Sequence, residues 1–200
     1  MKKRPANPIK NKDKILDIQD FLRYKNERDY ILFVLGITTG YRAGDLVKLK
    51  VRDIKQAIKE GYFEIMESKK ENSKNIRKEN KKPRVVKLVY KTEKLLRQYI
   101  KDKKDYEYIF QSRKGTNEHI TVAHVSRILR EAGNVFRLKN ITAHSMRKTY
   151  AYKIYIESQC NIIMVKEMLG HSDVEITKRY LGLDREEFDK YSDTLNDFLL

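Results

Sequence analysis

Two side chains that suit phosphate chemistry, His144 and Arg147, lie three residues apart, the spacing that places them on one face of a helix. A guanidinium offers two parallel N–H donors to phosphate oxygens, and a neighbouring imidazole donates a hydrogen bond or exchanges a proton. The pair therefore predicts a site that holds a phosphate group. Taken alone, the same pair is also common on a solvated helix surface.

Four more residues extend this set. Arg42 follows a Thr-Thr-Gly turn and precedes a short predicted helix, whose positive N-terminal end disfavours a cation unless an anion compensates. Asp45, three residues later, is expected either to orient Arg42 or simply to favour the helix N-terminus. His171 lies at the junction of two predicted helices. This position suits a side chain that donates a hydrogen bond to a phosphate, and it equally suits an ordinary linker residue. Tyr180 carries a nucleophilic hydroxyl, but in a chain with 13 tyrosines its ordinary role is that of a core aromatic.

The elements that position these residues are predicted to be mainly helical, with a small antiparallel β-sheet. Hydrophobic residues recur at helical spacing from Ile15 and again from Tyr30, and Gly40 is the predicted end of the second helix. A short third helix precedes two strands, at residues 62–67 and 84–90. The lysine-rich stretch between the strands reads as a long hairpin loop, which either follows a phosphate backbone or is a solvated loop.

The second half of the chain is predicted to be helical except for a short third strand at residues 108–110. Thr92, Thr121 and Thr142 are expected to begin helices, and Ser172 with Glu175 has the spacing of a capping box. A last helix is expected over residues 184–200, with an apolar stripe formed by Phe188, Tyr191, Leu195 and Phe198.

Composition restricts the class of protein. The chain has 200 residues, with 44 Lys and Arg against 28 Asp and Glu, and its net charge of +16 favours a polyanionic partner. The single cysteine, Cys160, excludes an internal disulfide and fits a reducing compartment. No apolar run reaches membrane-spanning length and the N-terminus does not resemble a signal peptide, so we expect a cytoplasmic protein without a membrane partner. Residues 1–12 read as a flexible basic arm and residues 13–200 as one domain.

Three segments together carry more information than any residue alone. TTGYRAGDLVKLKVRDI, HSMR and LGHSDVEITKRYLGL resemble, in order and spacing, the signature of the tyrosine recombinases, also called the phage integrase family. In that family an arginine after a Thr-Gly turn is followed, about a hundred residues later, by His-x-x-Arg, then by Leu-Gly-His, and then by a nucleophilic tyrosine. The interval from His171 to Tyr180 matches the last step. The resemblance extends from about Lys12 to the C-terminus and implies the catalytic-domain fold of the family.

The resemblance also implies roles. Arg42 and Arg147 would hold the two non-bridging oxygens of a DNA phosphodiester, and His171 would donate a further hydrogen bond. His144 would accept or relay the proton of Tyr180, whose attack would form a 3′-phosphotyrosyl bond. That bond conserves the energy of the phosphodiester, so rejoining needs no ATP. Because cationic side chains take the place of a metal, and no His/Cys cluster has ligand spacing, we expect no cofactor.

A lysine on the β-hairpin completes the family's set. Lys69, in the segment IMESKKENSK, takes this place and would protonate the leaving 5′-hydroxyl oxygen. The Thr-Gly pair that usually follows the hairpin lysine is absent and Lys70 is adjacent, so the choice between these two lysines stays open.

The expected partner is double-stranded DNA. Most members of the family also carry an N-terminal domain that closes around the duplex, and the short segment before the first predicted helix here suggests a stand-alone catalytic domain. We expect a monomer when free and a homo-oligomer, up to a tetramer, on DNA, with the last helix docking on a neighbouring subunit or on its own domain. Two alternatives remain: a DNA-binding accessory protein that lacks cleavage, and a type IB topoisomerase.

Overall fold

The computed structural model describes residues 5–71, 82–181, 192, 196 and 197, and it confirms the predicted fold class of a mainly helical chain with a small antiparallel sheet. The chain divides into two compact units, Met1–Tyr150 and Ala151–Leu200, which we call the first and the second unit. The division falls within α8. Among the described residues the elements, in chain order, are α1 (Lys12–Lys25), α2 (Glu27–Thr39), α3 (Ala43–Leu46), α4 (Val51–Glu60), β1 (Tyr62–Ile65), α5 (Ser68–Glu71), β2 (Arg84–Lys87), α6 (Tyr90–Tyr99), α7 (Val122–Val135), α8 (Ala143–Glu157), α9 (Ile162–Leu169) and α10 (Val174–Leu181).

Short polar side chains and glycines set the limits of the first helices. Asn11 caps α1, because its side chain accepts a hydrogen bond from the amide of Lys14 at 3.0 Å, and Asn26 ends α1 while capping α2. Gly40 ends α2 in the left-handed conformation, with φ 63°, as the sequence predicts. The chain thereby turns sharply just before Arg42.

The two strands form an antiparallel pair in which Tyr62 faces Lys87 and Ile65 faces Arg84. Both strands are shorter than predicted. The second ends at Lys87 because Val89 takes the N-cap position of α6, which places Thr92 inside the helix, where it is buried, and not at the predicted cap.

The predicted third strand at residues 108–110 is not a strand. Tyr108 forms a single antiparallel bridge with Lys50, and the amide of Ile109 donates to the carbonyl of Leu49 at 3.0 Å. The segment meets its neighbour over too few residues for a ladder, although Ile109 and Phe110 are buried in the core as their hydrophobicity predicts.

One hydrophobic core holds the first unit together. It collects the apolar faces of α1, α2, α4, α6 and α7, and its fully buried side chains include Ile18, Leu35, Ile54, Leu96 and Ala132. Thr121 begins α7 as predicted, since its hydroxyl accepts a hydrogen bond from the amide of His124 at 3.2 Å. Burial of their apolar faces therefore anchors these five helices to one another.

The N-terminal segment differs from the predicted flexible arm. Ile9 is buried and its amide donates to the hydroxyl of Thr149 at 2.8 Å, while the amide of Asn7 donates to the carbonyl of Asn140 at 3.2 Å. The buried Ile9 side chain and these two hydrogen bonds dock this part of residues 1–12 on the first unit.

In the second unit, α9 packs against α10. Gly170 ends α9 in the left-handed conformation, as predicted. The cap of α10 is Asp173 and not the predicted Ser172, because the side chain of Asp173 accepts from the amide of Glu175 at 2.9 Å. The last helix predicted over residues 184–200 lies outside the described residues, apart from isolated positions. No helix in the described part of the chain is long and apolar enough to cross a membrane.

The turn at Gly40 yields a stability prediction. A Cβ added at Gly40 would lie 2.4 Å from the Tyr150 ring, whereas at Gly61, which ends α4 with φ 77°, the described residues leave a Cβ unobstructed within 4 Å. Gly61→Ala should lower the free energy of unfolding by about 1 kcal/mol through backbone strain alone. Gly40→Ala should add an overpacking cost of about 1–3 kcal/mol. Urea denaturation of both variants measures the difference, and equal effects would contradict the close approach of Tyr150.

Candidate active site

Arg42 lies at the N-cap of α3, directly after the Gly40 turn and the buried Tyr41. Its side chain is 24% exposed, and its Nη1 lies 2.7 Å from Oε2 of Glu67. The anion that the sequence requires beside this arginine is therefore a carboxylate from the segment that follows β1.

Arg147 lies on α8 and its side chain is 1% exposed. Its Nη1 donates to Oε1 of Glu67 at 2.5 Å and to the carbonyl of Gly40 at 2.8 Å. The structure thus brings Arg42 and Arg147 to the two oxygens of one carboxylate, although they are far apart in the sequence.

Glu67 is fully buried, and Arg84 adds a third guanidinium, with its Nη1 3.8 Å from Oε1. Burial alone would raise the pKa of Glu67, but the charges of Arg147, Arg42 and Arg84 outweigh it and hold the pKa below its usual range. Three cations against one anion leave this cluster, which we call the arginine cluster, with a net charge of +2. Such a cluster can hold an anionic group such as a phosphate.

The sequence interpretation did not identify Glu67 or Arg84. A signal was present: the alternation in β1 buries Phe63 and points Glu64 to solvent, and the same period makes the position of Glu67 an inward one. A carboxylate at an inward position is almost always paired. The pattern therefore indicated a buried ion pair, but not its partners.

Asp45 has a different partner from the expected one. Its Oδ1 accepts hydrogen bonds from the amide of Ser68 at 3.1 Å and from the Ser68 hydroxyl at 2.6 Å, while the carboxylate that contacts Arg42 is Glu67. Asp45 thus joins α3 to the start of α5. Lys69 follows Ser68 directly, and the side chains of Lys69 and Lys70 lie outside what the structure describes.

Tyr41 also holds the hairpin in place, through its hydroxyl group. Its hydroxyl donates to the carbonyls of Phe63, at 3.3 Å, and of Arg84, one from each strand. Burial raises the pKa of Tyr41, so that it stays a protonated donor. The Arg84 guanidinium stacks over the Tyr41 ring at 4.5 Å and donates to the carbonyl of Thr39.

His144 lies in the first turn of α8 and is exposed. It precedes Arg147 by three residues on the same helix, as the sequence predicts. The helix therefore presents an exposed imidazole one turn before the buried guanidinium.

In the second unit, His171 follows the Gly170 turn and is 8% exposed. Its Nδ1 lies 3.0 Å from the hydroxyl of Thr177, a buried residue of α10 that the sequence interpretation did not single out. The ring of Tyr180, half-buried on the same helix, meets the His171 ring edge-on at 4.6 Å between centroids. The structure thus brings His171 and Tyr180 into contact.

Residues 5–71 and 82–181 contain no group of three His, Cys, Asp or Glu side chains arranged to hold a metal ion.

Both the sequence and the fold are similar to those of known proteins. Residues 10–187 match the profile of the phage integrase family. The chain is 33% identical over 181 residues to the probable integrase/recombinase YoeC of Bacillus subtilis (strain 168), covering 90% of this chain and 92% of that protein. It is 30% identical over 187 residues to a tyrosine recombinase of Pseudothermotoga lettingae, of which it spans 59%. The crystal structure of XerA recombinase shares the fold, with a TM-score of 0.67 at 21% identity over 97% of this chain and 66% of that chain.

The arginine cluster predicts a pH-dependent stability. Because the pKa of Glu67 is lowered by folding, its contribution is fully present above its usual value of 4.5 and is lost as the pH falls towards the folded pKa. At pH 7, Glu67→Gln should lower the free energy of unfolding by about 3–5 kcal/mol, since it leaves buried guanidinium charge without its partner.

Below about pH 4.5 this difference from the wild type should shrink, because Glu67 of the unfolded wild-type chain then takes up a proton while the folded carboxylate is still ionised, and the rest is lost once the pH falls through the folded pKa. Glu64→Gln, at an exposed position of β1 three residues before Glu67, is the control and should stay within about 0.5 kcal/mol of the wild type. A difference for Glu67→Gln that does not change between pH 7 and pH 3 would show that the carboxylate is not held ionised by the arginines.

Proposed function

The chain belongs to the phage integrase family, and we propose that it is a site-specific recombinase that cleaves and rejoins DNA strands through a 3′-phosphotyrosyl intermediate. The observation that carries the proposal is the arginine cluster, in which Arg42 and Arg147 share the carboxylate of Glu67. The net charge of +16 supports a nucleic-acid substrate independently.

In the proposed reaction Arg42 and Arg147 hold the two non-bridging oxygens of the scissile phosphodiester. Negative charge builds on these oxygens as the nucleophile attacks, and guanidiniums already fixed in place stabilise that charge without reorganising. The third guanidinium, Arg84, is 5% exposed and stacked on Tyr41, which suits it to balancing charge inside the cluster.

Tyr180 is the proposed nucleophile. Its hydroxyl oxygen attacks phosphorus, the bond to the 5′ oxygen breaks, and the products are a 3′-phosphotyrosyl ester and a 5′-hydroxyl group. His144 accepts or relays the proton of the tyrosine. His171 donates a hydrogen bond to the phosphate from Nε2, since its Nδ1 is engaged by Thr177. Attack by a 5′-hydroxyl on the ester reverses these steps and rejoins the strand.

Lys69 is the proposed acid that protonates the leaving 5′ oxygen. Two sets of contacts hold the backbone that directly precedes Lys69. These are the ion pairs of Glu67 and the hydrogen bonds from Ser68 to Asp45. In this proposal Asp45 acts through the position of the hairpin lysine and not through Arg42.

The nucleophile can be tested with a suicide duplex whose cleaved end diffuses away. The wild type should form a covalent protein–DNA adduct that migrates slowly on a denaturing gel, and Tyr180→Phe should abolish it because only the attacking oxygen is lost. The matched control is Tyr24→Phe, since Tyr24 is 93% exposed and should leave the adduct unchanged.

An adduct that persists in Tyr180→Phe would place the nucleophile elsewhere, Tyr191 being the next candidate. Wild-type binding to DNA without any adduct would favour an accessory protein. Relaxation of supercoiled plasmid without a target site would favour a topoisomerase.

The role of the hairpin lysine can be tested by changing the leaving group of the substrate. Lys69→Ala should slow cleavage of an ordinary phosphodiester by about a hundredfold or more, the usual contribution of a general acid. A substrate with sulfur in place of the bridging 5′ oxygen leaves without a proton and should restore the rate. Lys70→Ala is the neighbouring control. Rescue of Lys70→Ala by sulfur, and not of Lys69→Ala, would assign the role to Lys70.

A further inference from the structure

We infer that Glu67 is a positioning residue for the proposed cleavage reaction, whose carboxylate aims Arg42 and Arg147 at one phosphate group. The inference rests on the proposed function. It assigns to Glu67 a role in the rate of the chemical step, separate from the attraction of DNA.

Each of the two carboxylate oxygens of Glu67 contacts a different arginine. Oε2 contacts Nη1 of Arg42 at 2.7 Å, and Oε1 contacts Nη1 of Arg147 at 2.5 Å. A guanidinium is planar and carries its donors in a fixed fork, so a contact at one corner sets the direction of the others. One carboxylate therefore sets the orientation of two forks relative to each other.

Additional contacts hold Glu67 and Arg147 in place. Glu67 is fully buried, and the Nη1 of Arg147 also donates to the carbonyl of Gly40, in the turn that delivers Arg42. The turn, the end of β1 and α8 thus meet at this carboxylate. A displacement of about 1 Å in such an arrangement is enough to slow a reaction about a hundredfold.

Charge explains why the position requires a carboxylate. Arg42, Arg84 and Arg147 would repel one another if a neutral side chain replaced Glu67, and the most exposed of them, Arg42, is the one with room to move. The cluster would then keep its attraction for phosphate while losing its geometry. Loss of Glu67 should therefore separate binding from chemistry.

The first experiment compares the full-length wild type with Glu67→Gln. Duplex affinity is measured by fluorescence anisotropy and the single-turnover rate of adduct formation on a suicide duplex. Glu67→Gln should bind duplex as tightly as the wild type or more tightly, because one negative charge is removed, and should cleave it about a hundredfold more slowly. Glu64→Gln removes the same charge from an exposed position nearby and should keep the wild-type cleavage rate.

A second variant separates the orientation of Arg42 and Arg147 from the charge balance of the arginine cluster. Glu67→Gln combined with Arg84→Met removes one anion and one cation, and methionine keeps an unbranched apolar chain against the Tyr41 ring. The double variant should melt at a higher temperature than Glu67→Gln alone, so that cleavage can be measured on folded protein. Its cleavage should stay slow, because glutamine offers one acceptor oxygen where the carboxylate offers two, so that Arg42 and Arg147 no longer share a two-oxygen acceptor.

A third measurement reports geometry without activity. The Nε–H signals of the arginine side chains, assigned in nitrogen-15 NMR spectra with Arg42→Lys and Arg147→Lys, should show slow exchange for both residues in the wild type. This protection should be lost for Arg42 in the double variant.

The outcomes are distinct. Wild-type cleavage by Glu67→Gln, or by the double variant, would overturn the role of Glu67 and leave the proposed function intact. Equal losses of binding and cleavage in the folded double variant would overturn it as well, since a merely structural role predicts that result. A wild type without any adduct would refute the proposed function, and the NMR signals would then decide the positioning claim by themselves.

Discussion

The structure of the first unit depends on one buried carboxylate. Glu67 has no exposed surface, and a carboxylate in that environment is strongly destabilising unless cations and hydrogen bonds compensate for its lost hydration. Arg42, Arg84 and Arg147 supply that compensation. These three arginines come from the start of α3, from β2 and from α8, so one ion cluster joins three segments that are distant in the chain. The cluster keeps a net positive charge, because three guanidiniums face one carboxylate.

The hairpin illustrates how the constraint extends to neighbouring residues. Tyr41 ties its hydroxyl to both strands, and Asp45 holds Ser68 at the beginning of α5. Tyr41, directly before Arg42, and Asp45, three residues after it, therefore position the hairpin, while Arg42 itself binds Glu67. A stretch of five residues, from Tyr41 to Asp45, thus contacts both Glu67, through Arg42, and the backbone that precedes Lys69.

In the second unit the rings of His171 and Tyr180 are in contact. The Gly170 turn ends α9, Asp173 begins α10, and the short connection carries His171. Thr177 fixes the ring of His171, and Tyr180, one turn further along α10, contacts that ring. Here the functional contacts are local, because all of these residues lie within a few turns of one another and follow from helix geometry.

This difference separates what the sequence determined from what required the tertiary structure. Local patterns were sufficient for the fold class, for the ends of helices at Gly40 and Gly170, for the start of α7 at Thr121, and for the spacing of His144 from Arg147, because each is set by backbone geometry within one or two turns. The partners of Asp45 and Arg42, and the whole role of Glu67 and Arg84, could not be read in the same way. Glu67 and Arg147 are 80 residues apart in the chain. A contact at that separation has no period, so the strand pattern marks Glu67 as an inward position but does not say which residues are its partners. Only the packing of β1, β2, α3 and α8 decides this, since it removes water from the carboxylate and leaves the guanidiniums as its partners.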